Sequence, residues 1–177
     1  MEQKPVVLYA YCNSLEHEQQ TAAILVGALL RHLATDQTDE IIRTTIMDFY
    51  HTFKAKDTRP SILDYSKKLQ FLLPNLRERV FIIVDAIDEC SDRHRDTFLA
   101  ELKKLPARLF FTSRPILEIH HQFRNEARLD VRATREDIKT YLEDQMTTRP
   151  YLDMLKCRSP ALAEEIVHHI IEKADGM

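Results

Sequence analysis

The chain has 177 residues, 44% of them apolar and 30% charged, which is enough for one domain with a real core and too little for two large ones. A formal charge of -3 and a pI near 6.2, with Lys and Arg spread along the chain, exclude a nucleic-acid-binding face as an expectation. Cys12, Cys90 and Cys157 lie far apart and make neither a CxxC metal pair nor an even disulfide framework, as suits a reducing, cytoplasmic setting. No signal-peptide segment opens the chain and no apolar run nears the roughly 18 residues of a bilayer span, so no membrane association is expected. Only Gly27 and Gly176 occur, against about twelve at ~7% usage. These two cannot supply the glycines of a P-loop or of a dinucleotide fingerprint.

Taken in chain order, residues 6–11 (VVLYAY) form a short, continuous β-rich run, as expected of a strand buried on both faces. Residues 21–33 place Ile24, Leu25, Ala28, Leu29 and Leu33 at helical spacing and predict an amphipathic helix packed on a sheet. Two further helices are predicted over 40–53 and 61–72, the second ending near Pro74. Residues 80–84 (VFIIV) are the strongest strand, ending abruptly in acid, and 109–112 (LFFT) the next, with a helix over 92–105 between them. Strand, helix, strand at this spacing predicts a right-handed parallel crossover in an α/β fold. A fourth strand is expected over 127–131, then a helix capped by Thr134 and running to about Met146. Residues 147–160 have the composition of a loop, and a last helix is expected from Ser159 as N-cap and Pro160 at the first helical position to about Lys173.

The chemistry-bearing residues gather at two strand ends. VFIIVDAIDEC puts Asp85 at the carboxyl end of a strand, with Asp88 and Glu89 in the following turn; open α/β sheets bind ligands at that edge. A carboxylate there can hold Mg²⁺, and a second acid can orient an attacking water. The plain alternative is a strand ending in a solvated acidic turn. FFTSRP presents Thr112, Ser113 and Arg114 on the same edge, where a guanidinium matches phosphate oxygens bidentately. Other candidates are weaker. His120-His121 and His168-His169 are adjacent pairs that point to different helix faces. For Cys90 near His94, acidic neighbours are expected to raise the thiol pKa and disfavour a nucleophile.

VFIIVDAIDEC and ARLFFTSRP resemble the extended Walker B and sensor-1 segments of fungal NACHT domains, in the nephrocystin-like N-terminal group of the STAND class of P-loop NTPases. VVLYAYCNSLEHEQQTAAILVGALLRHL resembles the strand and helix that follow the P-loop there, and REDIKTYLEDQM and IIEKADGM resemble the helical region beyond the core. The resemblance implies an incomplete P-loop NTPase-type α/β fold. Its parallel sheet would have three to four strands with flanking helices, over 1–133, followed by the start of a helical region over 134–177. It also implies Asp85 as the Mg²⁺-linked Walker B acid, Asp88 or Glu89 as the water-activating acid, and Thr112 and Arg114 as sensors of ATP or GTP phosphate. In the family a glycine-rich Lys-Ser/Thr loop precedes the segment matching Val6, whereas here MEQKP stands before it. Both ends therefore read as cut edges, and the chain is expected to bind nucleotide weakly, not to hydrolyse it alone, and to associate with itself or with protein partners. The expected strand order is 6–11, 80–85, 109–112, with the second in the middle and the fourth strand weak or displaced.

Overall fold

Three short apolar segments lose their backbone polarity to water only by pairing, and they do so in one parallel sheet. A computed structural model describes residues 4–16, 19–36, 40–76 and 78–174. Strands β1 (Val6–Tyr11), β2 (Val80–Asp85) and β3 (Arg108–Phe111) pair in the order β1-β2-β3, all parallel. The expected order holds, with β2 in the middle. Residues 127–131 form no strand: the segment has no ladder, and Leu129 and Val131 are exposed. Leu129 and Val131, flanking Asp130 and beside Arg128, bury nothing, and a register must be fixed by a buried face.

The register aligns Leu8, Ile82 and Leu109 in one row and Ala10, Val84 and Phe111 in the next. That face carries the core of the first unit, Met1–Arg124. It packs with Leu29, Leu33, Leu69, Phe98 and Leu102 from helices α1 (Ala22–Asp36), α3 (Ile62–Leu72) and α4 (Asp92–Leu102). The alternate row, Tyr9, Ile83 and Phe110, is exposed or half-buried. This corrects the expectation that β1 is buried on both faces: its burial alternates strictly. A continuous apolar run shows that both faces tolerate burial, and only the packing of helices decides which face receives it.

Helix α2 (Glu40–Ala55) adds Ile42 and Ile46 to the same core. A short α5 (Leu117–Gln122), not foreseen from the sequence, adds Ile119. The second unit, Asn125–Met177, holds α6 (Arg135–Thr148), α7 (Pro150–Arg158) and α8 (Pro160–Ala174). Thr134 caps α6 in a full capping box with Asp137. The loop expected over 147–160 is instead mostly α7. Pro150 occupies the first turn, where a missing N–H costs nothing, and Leu152 and Leu155 recur at helical spacing on a half-buried side. Among the described residues no helix is long and apolar enough to cross a membrane.

Candidate functional site

Every parallel strand delivers the residue after its last ladder bond to the same edge, and here three strand ends converge there. The ladder runs one step past the strands: Cys12 N–H donates to the Asp85 carbonyl (3.0 Å), and Thr112 N–H to the Val84 carbonyl (3.0 Å). The chain then turns sharply at Ala86, which is left-handed (φ 53°, ψ 49°) although it carries a Cβ, a conformation that costs about 1–2 kcal/mol. Thr112 holds it in place. Its Oγ1 accepts the Ala86 N–H at 2.8 Å and donates to Asp85 Oδ1 at 2.5 Å. Its carbonyl accepts from Ile87 N–H at 3.0 Å.

Asp88 and Arg114 form the second link between the same two ends. Arg114 donates through its backbone N–H to Asp88 Oδ1 (3.2 Å) and through Nε to Oδ2 (2.5 Å). The Asp88 side chain is 2% exposed while Arg114 remains 72% exposed. Burial by itself would raise the Asp88 carboxyl, and the Arg114 hydrogen bonds overcome it, holding the acid below the ordinary carboxylate value. Glu89 turns the other way, accepting the Ser14 N–H on Oε2 at 3.0 Å, so it ties the end of β2 to the turn after β1.

The residues singled out in sequence are therefore adjacent but unequal. Asp85 is exposed, with one carboxylate oxygen on Thr112. Asp88 has both oxygens committed to Arg114, and Glu89 has one on a backbone N–H. As a divalent-cation site the cluster is partial: among the described residues no group of three or more His, Cys, Asp or Glu is arranged to hold a metal ion. Mg²⁺ commonly takes only one or two protein carboxylates, with substrate phosphates and water completing its shell. Asp85 fits that minimal role. A cavity of about 390 Å³ lined by Met47, Tyr50, His51, Phe53 and Lys54 among others shares no residue with the strand ends.

One feature of this edge escaped sequence reasoning. Cys12 and Cys90, remote in sequence, are both free and buried. The neighbouring Cys90 thiol pushes Cys12 up, with burial adding to it. Cys12 in turn lowers Cys90, with Arg95 assisting, against burial and Asp92. The acidic neighbour Asp92 does act upward on Cys90, as expected, but the net direction is down. Cys12 directly follows β1, whereas Cys90 comes after the 3-10 turn Ile87–Glu89 beyond β2.

The fold and this edge define a parallel α/β protein with a polar, acid-tipped cluster at the carboxyl ends of its strands. The family model of nephrocystin 3, N-terminal, matches residues 1–114, a span that ends at the cluster's Arg114. The chain belongs to the nephrocystin 3 N-terminal family. No curated protein and no solved structure matches it.

Proposed function

We propose that this chain carries the acid-and-sensor half of a NACHT-type nucleotide site of the STAND class, in a cytoplasmic protein, and does not turn over nucleotide by itself. Asp85 is the Walker B acid and Thr112 and Arg114 the sensor-1 residues of that reading. The observation that supports it is the direct bond between Thr112 and Asp85 across the ends of adjacent parallel strands, which lets the β3 end respond to what the β2 acid holds. Mg²⁺ bound with ATP or GTP would supply charge neutralisation at the phosphates, with Asp85 as its protein carboxylate. Of the two acids that could activate water, Glu89 is the more available, because Asp88 is buried and bonded twice to Arg114.

The chain's two glycines cannot form a phosphate cradle. Each charge-assisted hydrogen bond of such a cradle is worth roughly 1.5–3 kcal/mol, so lacking two of them weakens binding by about a hundred- to ten-thousand-fold. Titration of the labelled chain with millimolar ATP-Mg²⁺, followed by amide chemical shifts, is expected to move Asp85, Thr112 and Arg114 weakly and nothing at the α2 cavity. Shifts confined elsewhere would sink the site. Low-micromolar binding abolished by Asp85→Ala would instead show that the chain is a sufficient nucleotide binder.

A second reading, that of a non-catalytic association module, is favoured by exposed aromatic side chains on the sheet, Tyr9 and Tyr11 on β1 and Phe110 on β3, the two outer strands. Sedimentation velocity should show concentration-dependent association that Phe110→Lys weakens. A chain that stays monomeric at all concentrations would remove this reading.

A further inference from the structure

We propose that the groove running along α2 is a docking site for an acidic amphipathic helix of a partner protein. Two cavities meet there. One, of about 390 Å³, is lined by Met47, Tyr50, Phe53, Lys54, Asp57 and Pro60 among others. The other, of about 310 Å³, is lined by Arg43, Ile46, Met47 and Tyr50 together with Arg31 and Ala34 of α1. Met47 and Tyr50 belong to both, so the two cavities form one continuous track. Its positions on α2 recur at intervals of three or four residues, the spacing of one helix face. From Arg43 to Lys54 the track runs about 16 Å, which is the length of a three-turn helix. A ligand confined to one cavity would leave the other unfilled, whereas apolar anchors at i, i+3 or i+4 and i+7 of a partner helix reach both.

Charge selects the occupant. Arg31, Arg43 and Lys54 line the track against one carboxylate, Asp57, among the described lining residues, a positive stretch on a chain of formal charge -3. Glu40 pairs with Arg43 at 3.5 Å, but both side chains are exposed. Such a pair contributes little, so an incoming carboxylate can replace it. Burial pushes the Tyr50 hydroxyl up, with Tyr65 adding to it and Arg31 opposing, which keeps it a neutral donor for a carboxylate. The surface is also built before binding. Phe49 packs against Phe53 (centroids 5.1 Å) and against Tyr65 of α3 (5.8 Å). The C-terminal end of α2 is closed by the Asp57 N–H donating to the Lys54 carbonyl and the Thr58 N–H to the Phe53 carbonyl, both 3.1 Å. A preformed surface loses less freedom when it binds. Met47, 52% exposed, stands where the cavities join, and its unbranched thioether can adjust to a partner's side chains. The track shares no residue with the strand-end cluster, and the inference does not depend on nucleotide binding.

The test follows amide chemical shifts of the complete labelled chain during titration with a synthetic helical peptide that carries Leu at i, i+4 and i+7 and Glu on its flanks. A second peptide has the same Leu stripe with Lys in place of Glu. With the Glu-flanked peptide, shifts are expected at Arg31, Arg43, Met47, Tyr50 and Lys54, and binding should weaken as salt rises. Arg31→Glu combined with Arg43→Glu should lower the affinity by at least about tenfold, and Met47→Asp should remove the shifts. Should either variant fail to fold, the Lys-flanked peptide and the salt series on the unsubstituted chain still decide. No shifts at about 1 mM peptide, shifts confined to the sheet or the strand ends, equal binding of the two peptides, or binding of phosphatidylserine vesicles in place of the peptide would each overturn the proposal.

Discussion

At the scale of single residues, the strand-end cluster is held by a few atoms whose removal has calculable consequences. Thr112→Val keeps the shape of the side chain but leaves the Ala86 N–H without its acceptor and releases Asp85. The expected loss is about 1–2 kcal/mol in urea unfolding, together with greater protease sensitivity around residue 86. Asp88 gives a prediction with a sign. Its folded-state pKa lies below the ordinary value, so its contribution is present above the unfolded pKa of about 3.9 and fades as pH falls through the folded one. Asp88→Asn should therefore cost about 1 kcal/mol at neutral pH, a modest figure because its partner Arg114 lies in water. The gap between variant and parent should close in acid. A constant gap from neutral pH to about pH 2 would show that the ion pair contributes nothing.

At the scale of elements, helix α1 approaches α3 closely enough that its one glycine has a neighbour to consider. A Cβ on Gly27 would stand 3.0 Å from the Tyr65 ring. Gly27→Ala sets a helix-propensity gain of about 1 kcal/mol against the displacement of that ring, and should leave the unfolding midpoint nearly unchanged. Gly27→Leu has no such room and should destabilise by about 1–3 kcal/mol; a stabilised Leu variant would mean that the two helices are not packed as described. The caps were partly legible in advance. Thr134 was foreseen, and its capping box with Asp137 is complete. Ser61 and Asp64 form the same device at α3, with Asp64 Oδ2 accepting the Ser61 N–H at 2.8 Å. Thr134→Ala should lower the helical signal of the second unit and cost about 1 kcal/mol.

At the scale of the whole chain, residues 125–133 form no regular element and most are exposed, Leu129 and Val131 among them. Limited trypsin digestion should cut at Arg128 or Arg132 before any site in α1 or α4, leaving an N-terminal fragment that retains the sheet. Early cleavage within 22–102 would contradict the packing of the first unit. Within that unit the second sheet face is less covered among the described residues, with Tyr9 and Phe110 exposed and Ile83 half-buried.

Residues such as Asp85, Asp88, Thr112 and Arg114 could be assigned to one edge from sequence, because a parallel strand always delivers its last residues to the same side of the sheet. The strands themselves were legible from short β-rich runs, and the long helices from their 3.6-residue periodicity. Three things waited for tertiary structure. Whether 127–131 becomes a strand depends on a partner edge and a buried face, neither of which is local. Which face of β1 is covered depends on where the helices pack, since Val, Leu and Tyr are acceptable on both. The division of labour in which Asp88 is buried against Arg114 while Asp85 stays open comes from side chains brought together across strands. No spacing along the chain records those contacts; pairing register and burial create them.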